Sequence, residues 1–178
     1  MARTLVLGLG NVLLGDEAIG VWVAASLSRE FGFPPEVAVL EGGTLGLDLL
    51  PRLEGVERLL LIDAVKLGRE PGEIVRLEGD AVPVALDDKI SPHQIGVQDL
   101  LAAARLLDRE PPLVVLWGME PECLDPGTVF SPRVADALPR LRDGVLEELW
   151  LWGVPGTPVA RAAPLPVWWE EAGVGRLR

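Results

Sequence analysis

The 178-residue chain holds a single cysteine, Cys123, and a single histidine, His93. One cysteine rules out an internal disulfide and leads us to expect a reducing, cytoplasmic setting. Cations are scarce as well: 16 Lys and Arg stand against 27 Asp and Glu, a formal charge of -11. Such a chain repels phosphate backbones on average, and no Lys/Arg cluster stands out to reverse that, which argues against nucleic acid as the main partner. No apolar run is long enough to cross a bilayer. Met1-Ala2-Arg3 leads straight into strand-type residues, without the charged, apolar and cleavage regions of a signal peptide, so none is expected. There is no glycine-rich phosphate loop followed by Lys, no Gly-x-Ser-x-Gly elbow for a serine nucleophile, and no internal repeat.

What is present is a core. Hydrophobic residues make up 49% of the chain, and 178 residues suffice for one compact domain. The organising stretch runs from Leu5 to Gly20. It opens as an apolar strand, breaks at Gly8 and Gly10, and resumes at Asp16-Glu17 as the start of a helix, with Asp16 as its N-cap. A buried strand passing through a glycine turn into a helix is the opening unit of an open α/β sheet, where ligands sit beyond the carboxyl ends of the strands.

The rest of the chain repeats that alternation. A helix is predicted over Glu17 to Phe31, with Ile19, Val23, Leu27 and Phe31 as its buried stripe. Val37 to Leu40 is a strand ending at Glu41-Gly42-Gly43-Thr44, and a short helix follows to Leu53. Leu59-Leu60-Leu61-Ile62 is a continuous apolar run, as in a central strand buried on both faces, and it ends at Asp63. Glu73 to Leu77 alternates like a more exposed strand. Gly79 to Pro92 reads as a loop interrupted only by Val82 to Leu86, with His93 on a loop before a helix that reaches Leu107. Leu113 to Trp117 is a buried strand. Ser131-Pro132 opens a helix to Trp150, with Val134, Leu138, Leu141, Val145 and Leu149 on one side. The expected fold is a three-layer αβα sandwich around a mainly parallel twisted sheet. The domain is expected to span 1–152, followed by a Pro/Gly/Trp-rich tail over 153–178.

Three residues are candidates for chemistry. Glu17, Asp63 and His93 each fall at a strand end or helix start, positions that can converge on one edge of an open sheet. Two carboxylates and an imidazole form a set of three metal ligands with positions left for water or substrate; zinc, nickel and iron are all chemically acceptable. Other readings stand beside this one. Asp16 and Glu17 serve a helix dipole, and His93 can cap a helix. Asp63 is harder to explain away, because a carboxylate buried without a partner is costly. Gly8-Leu9-Gly10 invites a dinucleotide reading, with Glu41 as the ribose-binding acid, but position 13 is Leu where the fingerprint wants glycine. Cys123 with His93 is a conceivable thiol pair, although Glu120 and Glu122 nearby would raise the thiol's pKa. The tryptophans Trp150, Trp152, Trp168 and Trp169 crowd the C-terminal portion.

Taken together, five blocks resemble the hydrogenase maturation endopeptidases. They are Leu7 to Gly20, Glu41-Gly42-Gly43-Thr44, Ile62-Asp63-Ala64, Lys89-Ile90-Ser91-Pro92-His93-Gln94 and Gly118-Met119-Glu120-Pro121, in the family's order. The resemblance implies an endopeptidase that removes the C-terminal extension of the nickel-loaded large-subunit precursor of a nickel-iron hydrogenase. It implies that Glu17, Asp63 and His93 engage nickel carried by that precursor. Catalysis is expected to be aspartic-type or metal-assisted, with Asp16 and Glu41 as the carboxylates to watch. The family usually has Asp where Glu41 stands, a shift of one methylene or about 1.5 Å. The alternatives are a non-catalytic nickel-centre binding or checkpoint protein on the same scaffold, or a dinucleotide-binding protein.

Overall fold

The computed structural model describes residues 3–86 and 92–160, and gives only the backbone of 92–95. In chain order the elements are β1 (Thr4–Leu9), a 3-10 turn (Gly15–Ala18), α1 (Ile19–Glu30), β2 (Phe31–Gly32), β3 (Val37–Gly43), a 3-10 helix (Gly46–Leu53), β4 (Arg58–Ala64), β5 (Ile74–Glu78), α2 (Ala81–Ala85), α3 (Pro92–Leu106), β6 (Leu113–Met119), α4 (Pro132–Leu151) and β7 (Thr157–Pro158). The main sheet has five strands in the order β3-β1-β4-β6-β5. All its pairings are parallel except that of β5 with β6.

Strand periodicity divides the core in two. Val6, Leu60, Ile62 and Ala64 turn to one face, against Ile19, Trp22 and Val23 of α1 and Val134, Leu138, Leu141 and Val145 of α4. Leu5, Leu7, Leu9, Leu59 and Leu61 turn to the other, against Val97, Leu100 and Ala104 of α3 and Leu49 and Leu53 of the 3-10 helix. This is the expected αβα sandwich. β4 lies between β1 and β6 with both faces covered, which explains its unbroken apolar run.

Glycines set how closely the layers approach. A β-carbon at Gly8 would lie 2.1 Å from the Gly20 carbonyl oxygen, and one at Gly20 would lie 2.0 Å from that of Ile62. Helix α1 therefore rests directly on the backbones of β1 and β4. On the opposite face, a β-carbon at Gly96 would lie 2.9 Å from the Gly46 Cα, so α3 and the 3-10 helix touch backbone to backbone.

Several expectations need correction. Asp16 does not cap α1: a 3-10 turn precedes that helix, and neither start carries a side-chain cap. Phe31 lies outside α1, in β2, which pairs with β7. His93 is not on a loop but is the second residue of α3, which begins at Pro92, where proline's fixed φ suits a first helical position. Ser131 is the N-cap residue of α4, with Pro132 following, but its hydroxyl does not cap the helix. Lys89-Ile90-Ser91 and the tail from 161, with Trp168-Trp169, lie outside the described residues.

Candidate active site

The carboxyl ends of β1, β3, β4 and β6 form one rim. Gly10, at φ 125°, turns the chain away from β1 so tightly that a β-carbon there would lie 1.7 Å from the Glu17 carbonyl oxygen. The 3-10 turn bearing Glu17 thus folds back over the end of its own strand and contacts β4. Glu17 is 1% exposed. Asp63, fully buried near the end of β4, lies in register with Gly118 of β6, and its Oδ1 accepts the Ala64 N–H at 2.8 Å. Two carboxylates are therefore buried at the ends of adjacent strands. His93 enters through the first turn of α3, whose seat on Gly46 lies one turn further along at Gly96. The imidazole itself lies outside the described residues.

Asp16 is buried beside them in a different role. Its Oδ2 accepts the N–H groups of Glu122 and Cys123 and the Ser131 hydroxyl, and its Oδ1 accepts the Ser131 N–H, all at 2.8 Å. The backbone reinforces the connection: Gly15 N–H donates to the Gly127 carbonyl at 2.9 Å, and Gly127 N–H to that of Leu13 at 2.8 Å. A carboxylate that accepts from four donors is suited to fix a loop. Glu120 does the same on the other flank, accepting the Leu67 N–H at 2.7 Å while only 5% exposed. Sequence reasoning passed over Glu120 as a structural acid, although it directly follows the buried strand β6.

Glu41 lies near the end of β3, the outer strand of the rim, and is exposed, yet neighbouring atoms remove enough water to push its carboxyl above the ordinary value. Cys123 is exposed on the β6–α4 loop, with its Sγ 3.6 Å from the Asp125 carboxylate. The cavity of about 280 Å³ that includes Asp80, Arg105 and Glu110 adjoins Val114 at the amino end of β6, away from this rim.

Comparison with known proteins decides the family. The model for hydrogenase maturation proteases matches residues 21–148. This chain belongs to that family. It is 38% identical over 157 residues to the hydrogenase 2 maturation protease of Escherichia coli, covering 88% of this chain and 96% of the relative. A hydrogenase expression/formation protein of Bradyrhizobium diazoefficiens is 41% identical over 165 residues, covering 92% and 85%. Among solved structures, the hydrogenase maturating endopeptidase of E. coli superposes with a TM-score of 0.84 at 38% identity over 88% of this chain and 97% of that one. A NiFe hydrogenase maturation protease of Thermococcus kodakarensis gives 0.68 at 28% identity, over 83% and 98%. The chain is accordingly a hydrolase, an endopeptidase of hydrogenase maturation. No helix among the described residues is long and apolar enough to span a membrane.

Proposed function

We propose that this maturation protease trims the C-terminal extension from a nickel-loaded hydrogenase large-subunit precursor, reading the metal as part of its substrate. The observation that carries this reading is the burial of Glu17 and Asp63 at the ends of neighbouring parallel strands. Two carboxylates buried on one rim offer oxygen donors of the kind a divalent cation attracts. With the His93 imidazole they make an oxygen, oxygen and nitrogen donor set suited to a divalent transition metal. The nickel belongs to the precursor, so the family requirement for a loaded substrate becomes a requirement for a cation between these groups.

The residues then divide the work. Glu17, Asp63 and His93 orient the metal-bearing end of the substrate. Asp16 and Glu120 are positioning residues that hold the β6–α4 and β4–β5 loops around it. Glu41, solvent-accessible and with its proton affinity raised by partial burial, is the carboxylate placed to take a proton from the attacking water. The water oxygen adds to the scissile carbonyl as its proton passes to Glu41. The leaving amine takes that proton back as the C–N bond breaks. The cytoplasm is the expected compartment.

The test is incubation with nickel-loaded and nickel-free precursor, followed by mass spectrometry of the large subunit. Cleavage of the loaded form alone is expected, and His93→Ala is expected to abolish it with an unchanged melting transition. Tight binding to loaded precursor without cleavage would instead make the protein a checkpoint. Cutting both forms equally would remove nickel from recognition.

A further inference from the structure

β3 is an edge of the main sheet, and among the described residues it pairs with β1 alone. The Thr4 N–H donates to the Glu36 carbonyl at 2.9 Å. Parallel ladders alternate, so the peptide groups of Ala38 and Leu40 continue that row toward β1, and past the register shift the Gly43 carbonyl accepts the Gly10 N–H at 3.1 Å. Those of Val39 and Glu41 turn outward. Val37 obeys the same rule, because its N–H donates away from β1 to the Pro34 carbonyl at 2.9 Å.

Exposed edges are ordinarily blunted by lysine, proline or a bulge. Val37-Ala38-Val39-Leu40 carries none of these; the irregularity in pairing comes later, opposite Gly8 and Leu9. The strand also leads somewhere. It runs parallel to β1 and stops at Gly43, on the rim that holds Glu17 and Asp63. At that end Leu13, Leu45 and Leu47 are 62%, 53% and 50% exposed. The charge is of one sign: no Lys or Arg occurs over residues 30–51. Glu36, Glu41 and Asp48 carry no ion pair among the described residues.

We propose that the outer edge of β3 receives the part of the precursor that is cut away, an extended cationic peptide that joins the sheet as a sixth strand antiparallel to β3. This rests on the protease reading above. The direction follows from the site. The scissile bond lies at the rim, the residues beyond it lead away, and β3 itself runs toward the rim. A strand leaving along β3 is therefore antiparallel, which is also the stronger pairing. The seven residues of β3 offer a track of roughly 20 Å at strand rise. Main-chain hydrogen bonds hold such a peptide with little regard to its sequence, while the acidic surroundings and the exposed leucines select its side chains.

The test uses the full-length protein with a synthetic peptide copying the precursor extension, read by amide hydrogen exchange, and with loaded precursor, read by processing. The amides of Val39 and Glu41 are expected to slow with saturating peptide. Val39→Pro removes one outward N–H and leaves the β1 ladder intact. It is expected to lower kcat/KM for precursor about tenfold, through KM, without changing the melting transition. Glu36→Lys with Asp48→Lys is expected to raise KM, with a deficit that shrinks as salt is added. If Val39→Pro unfolds, exchange in the wild-type protein decides. Wild-type processing with Val39 and Glu41 exchanging equally fast with and without peptide overturns the proposal. So does slowing of those amides with protein concentration alone, which marks the edge as a contact between copies of this chain. Failure of the wild-type protein to cut loaded precursor overturns the protease reading itself, and this inference with it.

Discussion

Asp16 and Glu17 are neighbours in sequence, both buried in the 3-10 turn before α1. Local rules see two acids at a helix start and assign both to the dipole. Asp16 instead turns to partners 106, 107 and 115 residues downstream, which no local pattern announces. Replacing it with alanine leaves three backbone N–H groups and a hydroxyl without their acceptor. Asp16→Ala is expected to lower stability by about 3 kcal/mol and to loosen the β6–α4 loop. Urea unfolding and proteolysis within 120–131 check both, and activity should fall in step with loop order rather than independently of it. Cys123 sits on that loop through its backbone, while its thiol faces solvent and an acid. Cys123→Ser is therefore expected to process precursor within about twofold of wild type, and a large loss would restore the thiol to the chemistry.

Elements with a periodic apolar pattern were legible. The Leu59–Ile62 run became the central strand, and Val134, Leu138, Leu141, Val145 and Leu149 are all completely buried along α4. Starts and ends were less legible, since caps and 3-10 turns depend on what the neighbouring element supplies. Glycine roles also needed the packing: Gly20 is the second residue of α1, and helix propensity counts glycine as a weakness. Here it admits the Ile62 carbonyl. Gly20→Ala gains helix propensity but puts a methyl 2.0 Å from that oxygen. It is expected to destabilise by about 3 kcal/mol, measured by urea unfolding, because backbone on both sides must shift. Gly8→Ala meets the same helix from below and should behave alike.

Across the whole molecule, α/β alternation was readable because each apolar run and stripe is local, whereas the ties between layers are not. Glu148 of α4 accepts from Arg76 of β5 at 2.6 and 2.9 Å, and from the Trp117 indole at 3.2 Å. The Arg76 hydrogen bonds hold the Glu148 carboxyl below its ordinary value of 4.5, against the opposing pull of burial. A depressed carboxylate stabilises the fold fully above its unfolded value and loses that contribution as pH falls through the lowered one. Wild type should therefore lose stability below about pH 4.5 more steeply than Glu148→Gln, with urea midpoints measured across that range as the check. The same long-range logic applies where Gly46 meets Gly96. Neither position has room to acquire a methyl group while its partner stays in place. A lineage cannot drift at one of them without reseating α3, and reseating α3 carries the backbone of His93 with it. The segment after Gly42-Gly43-Thr44 and the helix that carries His93 are thus locked to each other, although the central strand β4 lies between them in the chain.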